Sequence, residues 1–513
     1  MKGIIGVDIG TTGTKTAIYD TSGTLLAQSY QDSRVHCNGD GQIEENPLDF
    51  YYAALDTIAE AMKKISGAKP EIAAIAVDGQ MAGLLGVNRE FQPTTPYDSW
   101  LDTRCADYVD AIQKEAELAI IESAGLPTMP AHLAKILWWQ QLRPEIYEQT
   151  AKFVMPAGFV AARMCGLPAS EAFIDETYCH FTGLYDFANR RWNDKLCKRF
   201  SVSPDKLPRV SNPWDIIGTL TTEAAKRCGL TTQVAVVAGC GDQAAGFFGA
   251  GIVEPGILVD VAGTASVFGC SVSDFRPDTK NRTILFSKGV EENLWFPHAF
   301  LPGGGLCLRW FRDELMAGNR MTYEKIGQAL SGVANRPTGI LFRPYLNGRS
   351  FPFDSGLRGG FAGLCLDTDY AQLYRSVMEG VAYEYQFYME LEQELFPEVC
   401  FDQVITYGGG AKSQQFNQLK ADVLGVSYTT IDRDEVATFG SALIAGYGVG
   451  LFDNLKETVK TMTKQHLLAE PDPENYKRYR EYDAIYKEYV QDSTTIEHRL
   501  TQLRKEDYRC VIK

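Results

Sequence analysis

Near its start the chain alternates apolar and polar positions in the manner of two short strands. Ile4-Ile5-Gly6-Val7-Asp8-Ile9 leads into a turn at Gly10-Thr11-Thr12-Gly13, Thr14-Lys15-Thr16-Ala17-Ile18-Tyr19 follows, and Ser22-Gly23 makes a second turn. The pattern predicts a hairpin. Asn46-Pro47 then offers an N-cap and a proline at the first helical position, and Phe50, Ala53, Ala54, Ile58, Ala61, Met62 and Ile65 recur at helical spacing until Gly67. Ile72 to Val77 is a short apolar strand ending at Asp78-Gly79, and strands continue to alternate with helices, which predicts an α/β fold.

Mid-chain the pattern restarts. Val259-Asp260-Val261-Ala262-Gly263-Thr264-Ala265-Ser266 aligns without a gap on Val7-Asp8-Ile9-Gly10-Thr11-Thr12-Gly13-Thr14. Two related α/β halves would leave a cleft between them, a preferred place for a ligand. We expect the boundary between Gly246 and Glu254, giving units of residues 1–247 and 248–490. Tyr476, Tyr479, Tyr482, Tyr486 and Tyr489 mark one face of a late helix, read as a packing stripe. Residues 491–513 read as a polar tail.

The 513 residues fit two or three domains. Against 50 Lys and Arg stand 65 Asp and Glu, a net charge of −15 that lacks the basic footprint of a nucleic-acid or anionic-membrane binder. No stretch reaches the roughly 20 apolar residues of a membrane span, and a cytoplasmic location is expected. The 12 Cys include no C-x-x-C pair and the 6 His no H-E-x-x-H, so any metal must be held by oxygen.

Three segments could carry chemistry. Asp8 to Lys15 sets a carboxylate at a strand end, then glycines and hydroxyls at a tight turn, then a cation, a set suited to metal and phosphate. Gly408-Gly409-Gly410-Ala411-Lys412-Ser413 follows an apolar strand and precedes a helix, without Walker A or Rossmann spacing. Asp242, after Gly239-Cys240-Gly241, stands where a strand hands over to a helix; it is either a helix cap or a carboxylate base oriented by Gln243.

Together these motifs resemble the FGGY carbohydrate kinases of the actin-like, ribonuclease-H-like ATPase superfamily. The resemblance runs from Ile4 to about Tyr489. Its most discriminating part is Gly359-Gly360-Phe361-Ala362-Gly363-Leu364 with Gln372 to Glu379, which looks like the family's C-terminal signature. The resemblance implies two actin-like domains around a central cleft, the second binding nucleotide, and direct transfer of phosphate from ATP to a small sugar. Asp242 matches the general base, and Asp8 the acidic residue that supports Mg2+ with ATP. Thr11, Thr12, Gly263 and Thr264 match the phosphate-holding hairpins, with Lys15 nearby; Gly305 and Gly410 match positions near the nucleotide.

For the sugar, Gly79-Gln80-Met81-Ala82-Gly83 resembles a pocket-lining motif of the xylulose kinase group, and Trp100, Asp102 and Arg104 match a second segment. Trp100 reads equally as core packing. Xylulose kinases usually carry His where this chain has Ala82, and Asp78 and Gln243 replace the commoner Ser and Asn. D-xylulose is the first choice of substrate. Gluconate, glycerol, ribulose and a deoxy-ketose are the alternatives, and a non-catalytic actin-like ATP sensor is the alternative class. A homodimer is left open.

Overall fold

The computed structural model describes residues 1–39, 41–316 and 321–511, with side chains to residue 504. Two seven-stranded mixed sheets dominate it. In the first, the strands run in the order Ile216–Thr219, Ala235–Val237, Glu71–Gly79, Lys2–Ile9, Gly13–Asp20, Leu25–Asp32, and Cys240–Gly241 joins the end of Glu71–Gly79. In the second the order is Leu285–Lys288, Trp295–Leu301, Ser266–Cys270, Leu258–Ala262, Gln403–Tyr407, Ser427–Ile431, Gln465–Ala469. Each sheet is thus built on an antiparallel hairpin whose first strand pairs in parallel with a later strand.

The predicted hairpin and helix form as read. Asn46 accepts a hydrogen bond from the Leu48 amide at the start of the helix Pro47–Lys64, which packs on the first sheet through Phe50, Ala54 and Ile58. The repeat is structural too, since both segments form antiparallel hairpins, but the second turn is one residue tighter: Ile9 pairs with Thr14, whereas Ala262 pairs with Ser266. Of the tyrosine stripe, Tyr479 and Tyr486 are buried in the core of the second half. The segment after Val490 differs from the tail read from its polarity, because the helix beginning at Pro473 continues through it to Val511. Polar rather than apolar contacts hold it there: Ser493 and Glu497 accept from Arg343, and Thr501 donates to the Gly356 carbonyl. Among the described residues no helix is long and apolar enough to cross a membrane.

The two halves are joined by a helix that sequence order assigns to the second and packing assigns to the first. Val436–Gly448 lies across the strands Lys2–Ile9 and Glu71–Gly79 and against the helix Asp242–Gly249. Their shared core draws on both ends of the chain, with Ile4, Ala74, Ala76 and Val237 meeting Phe439, Ala442 and Leu443. Contact is backbone to backbone. A Cβ on Gly440 would lie 2.2 Å from the Ala245 carbonyl oxygen, one on Gly249 2.0 Å from that of Val436, and one on Gly6 1.9 Å from that of Thr438.

Adding one carbon there must push the helices apart, at a cost of about 1–3 kcal/mol. Gly440→Ala should therefore lower the denaturation midpoint. Gly327→Ala, in a helix where a Cβ would meet nothing within 4 Å, should raise it slightly. Equal midpoints for Gly440→Ala and the parent chain would show that this crossing tolerates separation.

Candidate active site

The parallel pairing of Lys2–Ile9 with Glu71–Gly79 sets Asp8 directly beside Asp78, and Cys240 pairs with Asp78 on the other side. Two residues on, Asp242 opens the helix Asp242–Gly249. Three carboxylates thereby converge at adjacent strand ends. Gly241, not Asp242, occupies the capping position, and the one amide donating to Asp242 is that of its neighbour Gln243, at 2.7 Å. Asp242 is free for other work.

Burial controls the electrostatics. It pushes the Asp242 carboxyl up to about 8, the charge of Asp8 adds to the push, and the Gln243 amide opposes it. Asp78 rises well above the usual carboxylate range, first through burial and then through the charge of Asp8. Its Oδ2 accepts from Ser441 Oγ at 2.5 Å, which ties this strand end to the joining helix. Asp8 is also raised by burial, with Lys15 opposing. Lys15 stands opposite Asp8 in the hairpin, but its ammonium is 2.6 Å from Glu435, the residue just before the joining helix.

The sugar-motif segment lies against this group. The Gln80 amide donates to the Ile9 carbonyl, Met81 presses on Gly241, and Tyr178 Oη donates to the Gly79 carbonyl at 2.8 Å. Ala82 is buried at φ 58°, in the left-handed region that a residue with a Cβ seldom enters. Trp100 donates from Nε1 to Thr11 Oγ1 at 2.8 Å and meets Phe300 of the second half edge-on at 5.8 Å, so it joins the hairpin turn to the facing domain. The Thr12 carbonyl of the same turn accepts from Tyr30 Oη and the Ser33 amide.

Asp102 is not offered to a ligand in this way. Its oxygens accept from the Ile43 amide and from Arg104, which also pairs with Glu44 at 2.7 Å and stacks on Trp138. Two residues that sequence reading passed over stand nearer the centre. Glu45, 2% exposed, accepts from Gln80 Nε2 at 3.2 Å, and Tyr97, fully buried, stands over Gly83. Glu45 sits next to the helix cap Asn46, so its local sequence signals capping and hides this role.

Polar atoms without partners mark where a ligand belongs, because burying such atoms unpaired costs roughly 1–3 kcal/mol each. Asp8 Oδ1, Gln80 Oε1, Tyr97 Oη and Gln243 Oε1 are all of this kind. Asp8 Oδ1 suits a hard cation. Among the described residues no three His, Cys, Asp or Glu could hold a metal by themselves, so a cation there would rely on Asp8 together with phosphate oxygens and water, the habit of Mg2+.

On the second half, a cavity of about 710 Å3 opens beside the repeated hairpin. Gly263, Thr264, Gly305 and Gly410 line one side, and Leu308, Ile326, Met378 and Phe416 make an apolar slot opposite. The glycines permit close approach: a Cβ on Gly305 would lie 2.4 Å from the Gly263 carbonyl oxygen, and one on Gly410 2.9 Å from Ala262 Cβ. Gly408, at φ 96°, makes the turn that brings them there. A cavity that joins glycine-rich turns to an apolar lining suits a nucleotide.

The N-terminal domain model of the FGGY family of carbohydrate kinases matches residues 3–249, and the C-terminal domain model matches residues 258–449. The chain belongs to the FGGY family of carbohydrate kinases. It is thus an ATP-dependent sugar kinase, with a sugar and ATP as its substrates. This kinase is 26% identical to the xylulose kinase of Bacillus subtilis (strain 168), over 98% of this chain and 100% of that protein. A ligand-bound xylulose kinase from Lactobacillus acidophilus superposes with a TM-score of 0.90 at 23% identity, covering 98% of this chain and 100% of that one. A gluconate kinase from the same organism superposes with a TM-score of 0.90 at 22% identity, covering 97% and 99%. Both superpositions establish the fold and leave the sugar undecided.

The raised Asp242 carboxyl has a measurable consequence. Between its ordinary value of 3.8 and about 8, the folded chain holds a proton that the unfolded chain has lost, so this group's contribution to stability falls as pH rises through that window. Asp242→Asn should therefore melt above the parent kinase at pH 9 and close to it at pH 4, the gap reaching on the order of a few kcal/mol. A gap that stays constant with pH would exclude a displaced titration at this residue.

Proposed function

We propose that this kinase phosphorylates a small ketose, D-xylulose before others, to give D-xylulose 5-phosphate. Asp242 serves as general base. The observation that carries the reading is Asp242 itself, an uncommitted, half-buried carboxylate at a helix start beside Asp8 and the sugar-motif segment. The sugar O5 attacks the γ-phosphorus of ATP, its proton passes to Asp242, and ADP leaves with the bridging oxygen. The helix N-terminus behind Asp242 favours its anionic form, against the burial that favours the acid. Gln243 and Gln80 orient the sugar, and Met81, Ala82 and Trp100 shape its pocket. Thr11 and Thr12 meet the phosphates from one half, with Lys15 beside them in its ion pair with Glu435, and Gly263, Thr264, Gly305 and Gly410 meet them from the other.

Asp8 would hold Mg2+, which when bound neutralises phosphate charge that the chain's net −15 cannot. Gluconate is the second reading, favoured by the likeness to the gluconate kinase above. Ala82 stands where xylulose kinases usually have His, so the ketose assignment rests on the rest of the pocket. We infer no oligomeric state.

An ADP-release assay over D-xylulose, D-ribulose, glycerol, D-gluconate and a deoxy-ketose should give the highest kcat/KM with D-xylulose. A better substrate among the others would displace the ketose reading. Asp242→Asn should keep nucleotide affinity and lose roughly 100-fold or more in turnover; near-parental turnover would remove the base assignment. Asp8→Asn should shift the magnesium dependence of ATP binding, read by calorimetry, to higher concentration. An unmoved titration would take Asp8 out of the metal site.

A further inference from the structure

One wall of the pocket is written in a small sheet remote from both large ones. Ile43–Glu45 pairs antiparallel with Tyr97–Asp98, and Glu45 stands directly opposite Tyr97, so their side chains share a face. Gln80, carried in from the end of Glu71–Gly79, donates its amide nitrogen to Glu45 and leaves its carbonyl oxygen unpartnered. Tyr97 Oη is unpartnered as well, and a Cβ on Gly83 would lie 2.2 Å from it, so Gly83 is what leaves the hydroxyl its room. Met81, the residue after Gln80, presses on Gly241, which sets this wall beside Asp242. All three wall residues are at least nine-tenths buried.

The cations carried by the neighbouring segments are committed elsewhere. Arg104 is surrounded by Glu44, Asp98 and Asp102, and Lys135 donates to the carbonyls of Ser99 and Asp102. Lys15 is paired with Glu435. His132, near the Gly83 carbonyl, is kept neutral by burial, which holds it down at about 3. The wall therefore presents oxygen acceptors and one phenol, with no uncommitted cation among the described residues named here; burial pushes the Glu45 carboxyl up to about 7, so its full negative charge develops only above that pH. A sugar hydroxyl satisfies such a surface by donating to it. A carboxylate meets desolvation, and repulsion once Glu45 ionises, with only the Tyr97 hydroxyl among these three wall groups to set against them.

We propose that Glu45, with Gln80 and Tyr97, forms a hydroxyl-accepting wall that selects uncharged polyhydroxy sugars and rejects aldonates such as gluconate. Glu45 is the specificity-determining residue. The inference rests on the reading that sugar binds beside Asp242, but not on which uncharged sugar is used.

The test compares kcat/KM for the best uncharged sugar and for D-gluconate in the parent kinase, Glu45→Gln and Tyr97→Phe. Calorimetric sugar binding without ATP and a melting curve accompany each. The parent should favour the uncharged sugar by about 100-fold or more. Glu45→Gln keeps the shape, removes the charge and adds a donor; it should weaken the uncharged sugar about tenfold and narrow the ratio at least tenfold. Tyr97→Phe, which leaves Glu45 in place, should weaken the uncharged sugar about tenfold without improving gluconate. A parent kinase that prefers gluconate overturns the proposal. So does a Glu45→Gln variant that leaves the ratio unchanged, or, if that variant does not fold, a Tyr97→Phe variant with parental kcat/KM. If the best uncharged sugar is not a ketose and the ratio still collapses in Glu45→Gln, the wall stands and only the ketose reading fails.

Discussion

Two helices far apart in sequence, Asp242–Gly249 and Val436–Gly448, touch through their backbones, and the carboxylate cluster is assembled on that contact. Gly249 and Gly440 give each helix a bare stretch for the other's carbonyls, and Gly6 does the same where the joining helix crosses the first sheet. At this separation Ser441 reaches Asp78, Glu435 reaches Lys15, and Asp242 stands at the mouth of its helix beside Asp8. Each polar contact is short because the backbones beneath it are close. Were the helices a side chain further apart, Asp78 would face a buried void with no donor, a costly state for a carboxyl group.

The duplicated hairpin shows how one backbone plan serves two purposes. Asp8 and Asp260 align in the two halves, Asp260 fully buried and Asp8 half-buried. Asp260 is neutralised: Lys420 forms a fully buried ion pair with it, and Tyr385 and Thr406 donate to its oxygens. Asp8 has its nearest cation drawn toward Glu435 and keeps one oxygen without a partner. The second copy has become structure, and the first remains available to a ligand. The cavity beside the second copy is correspondingly lined by glycine, threonine and apolar side chains rather than by carboxylates at its turn.

What the sequence made legible was whatever is decided locally. The first hairpin, the Asn46 cap, the tyrosine stripe and the repeated Gly/Thr turn all follow from spacing within a few residues, and each is present. The two-domain α/β kinase architecture came from longer motifs, the signature helix Tyr370–Leu395 among them, whose Met378 reaches the cavity. Pairings across long separations were not legible. Nothing near Lys15 announces Glu435, 420 residues away, and nothing near Asp102 announces that the Ile43 amide and Arg104 will occupy its oxygens. Glu45 was concealed by the capping residue beside it. The segment after Val490 looked like a tail because its docking face is polar, and binary patterning detects only apolar faces.

The cavity proposed for the nucleotide is lined wholly by residues of the second half, whereas Asp8 and Asp242 belong to the first. Under the proposed mechanism this separates holding the phosphoryl donor from activating an acceptor. Water is the smallest hydroxyl compound in the cell and by far the most abundant, and it needs no pocket to compete with a sugar. Its disadvantage here is that it cannot span the two halves: it fills none of the contacts at Gln80, Tyr97 and Gln243 that would draw the first half's base toward the second half's nucleotide. On that reading the enzyme without sugar would keep its ATP rather than hydrolyse it.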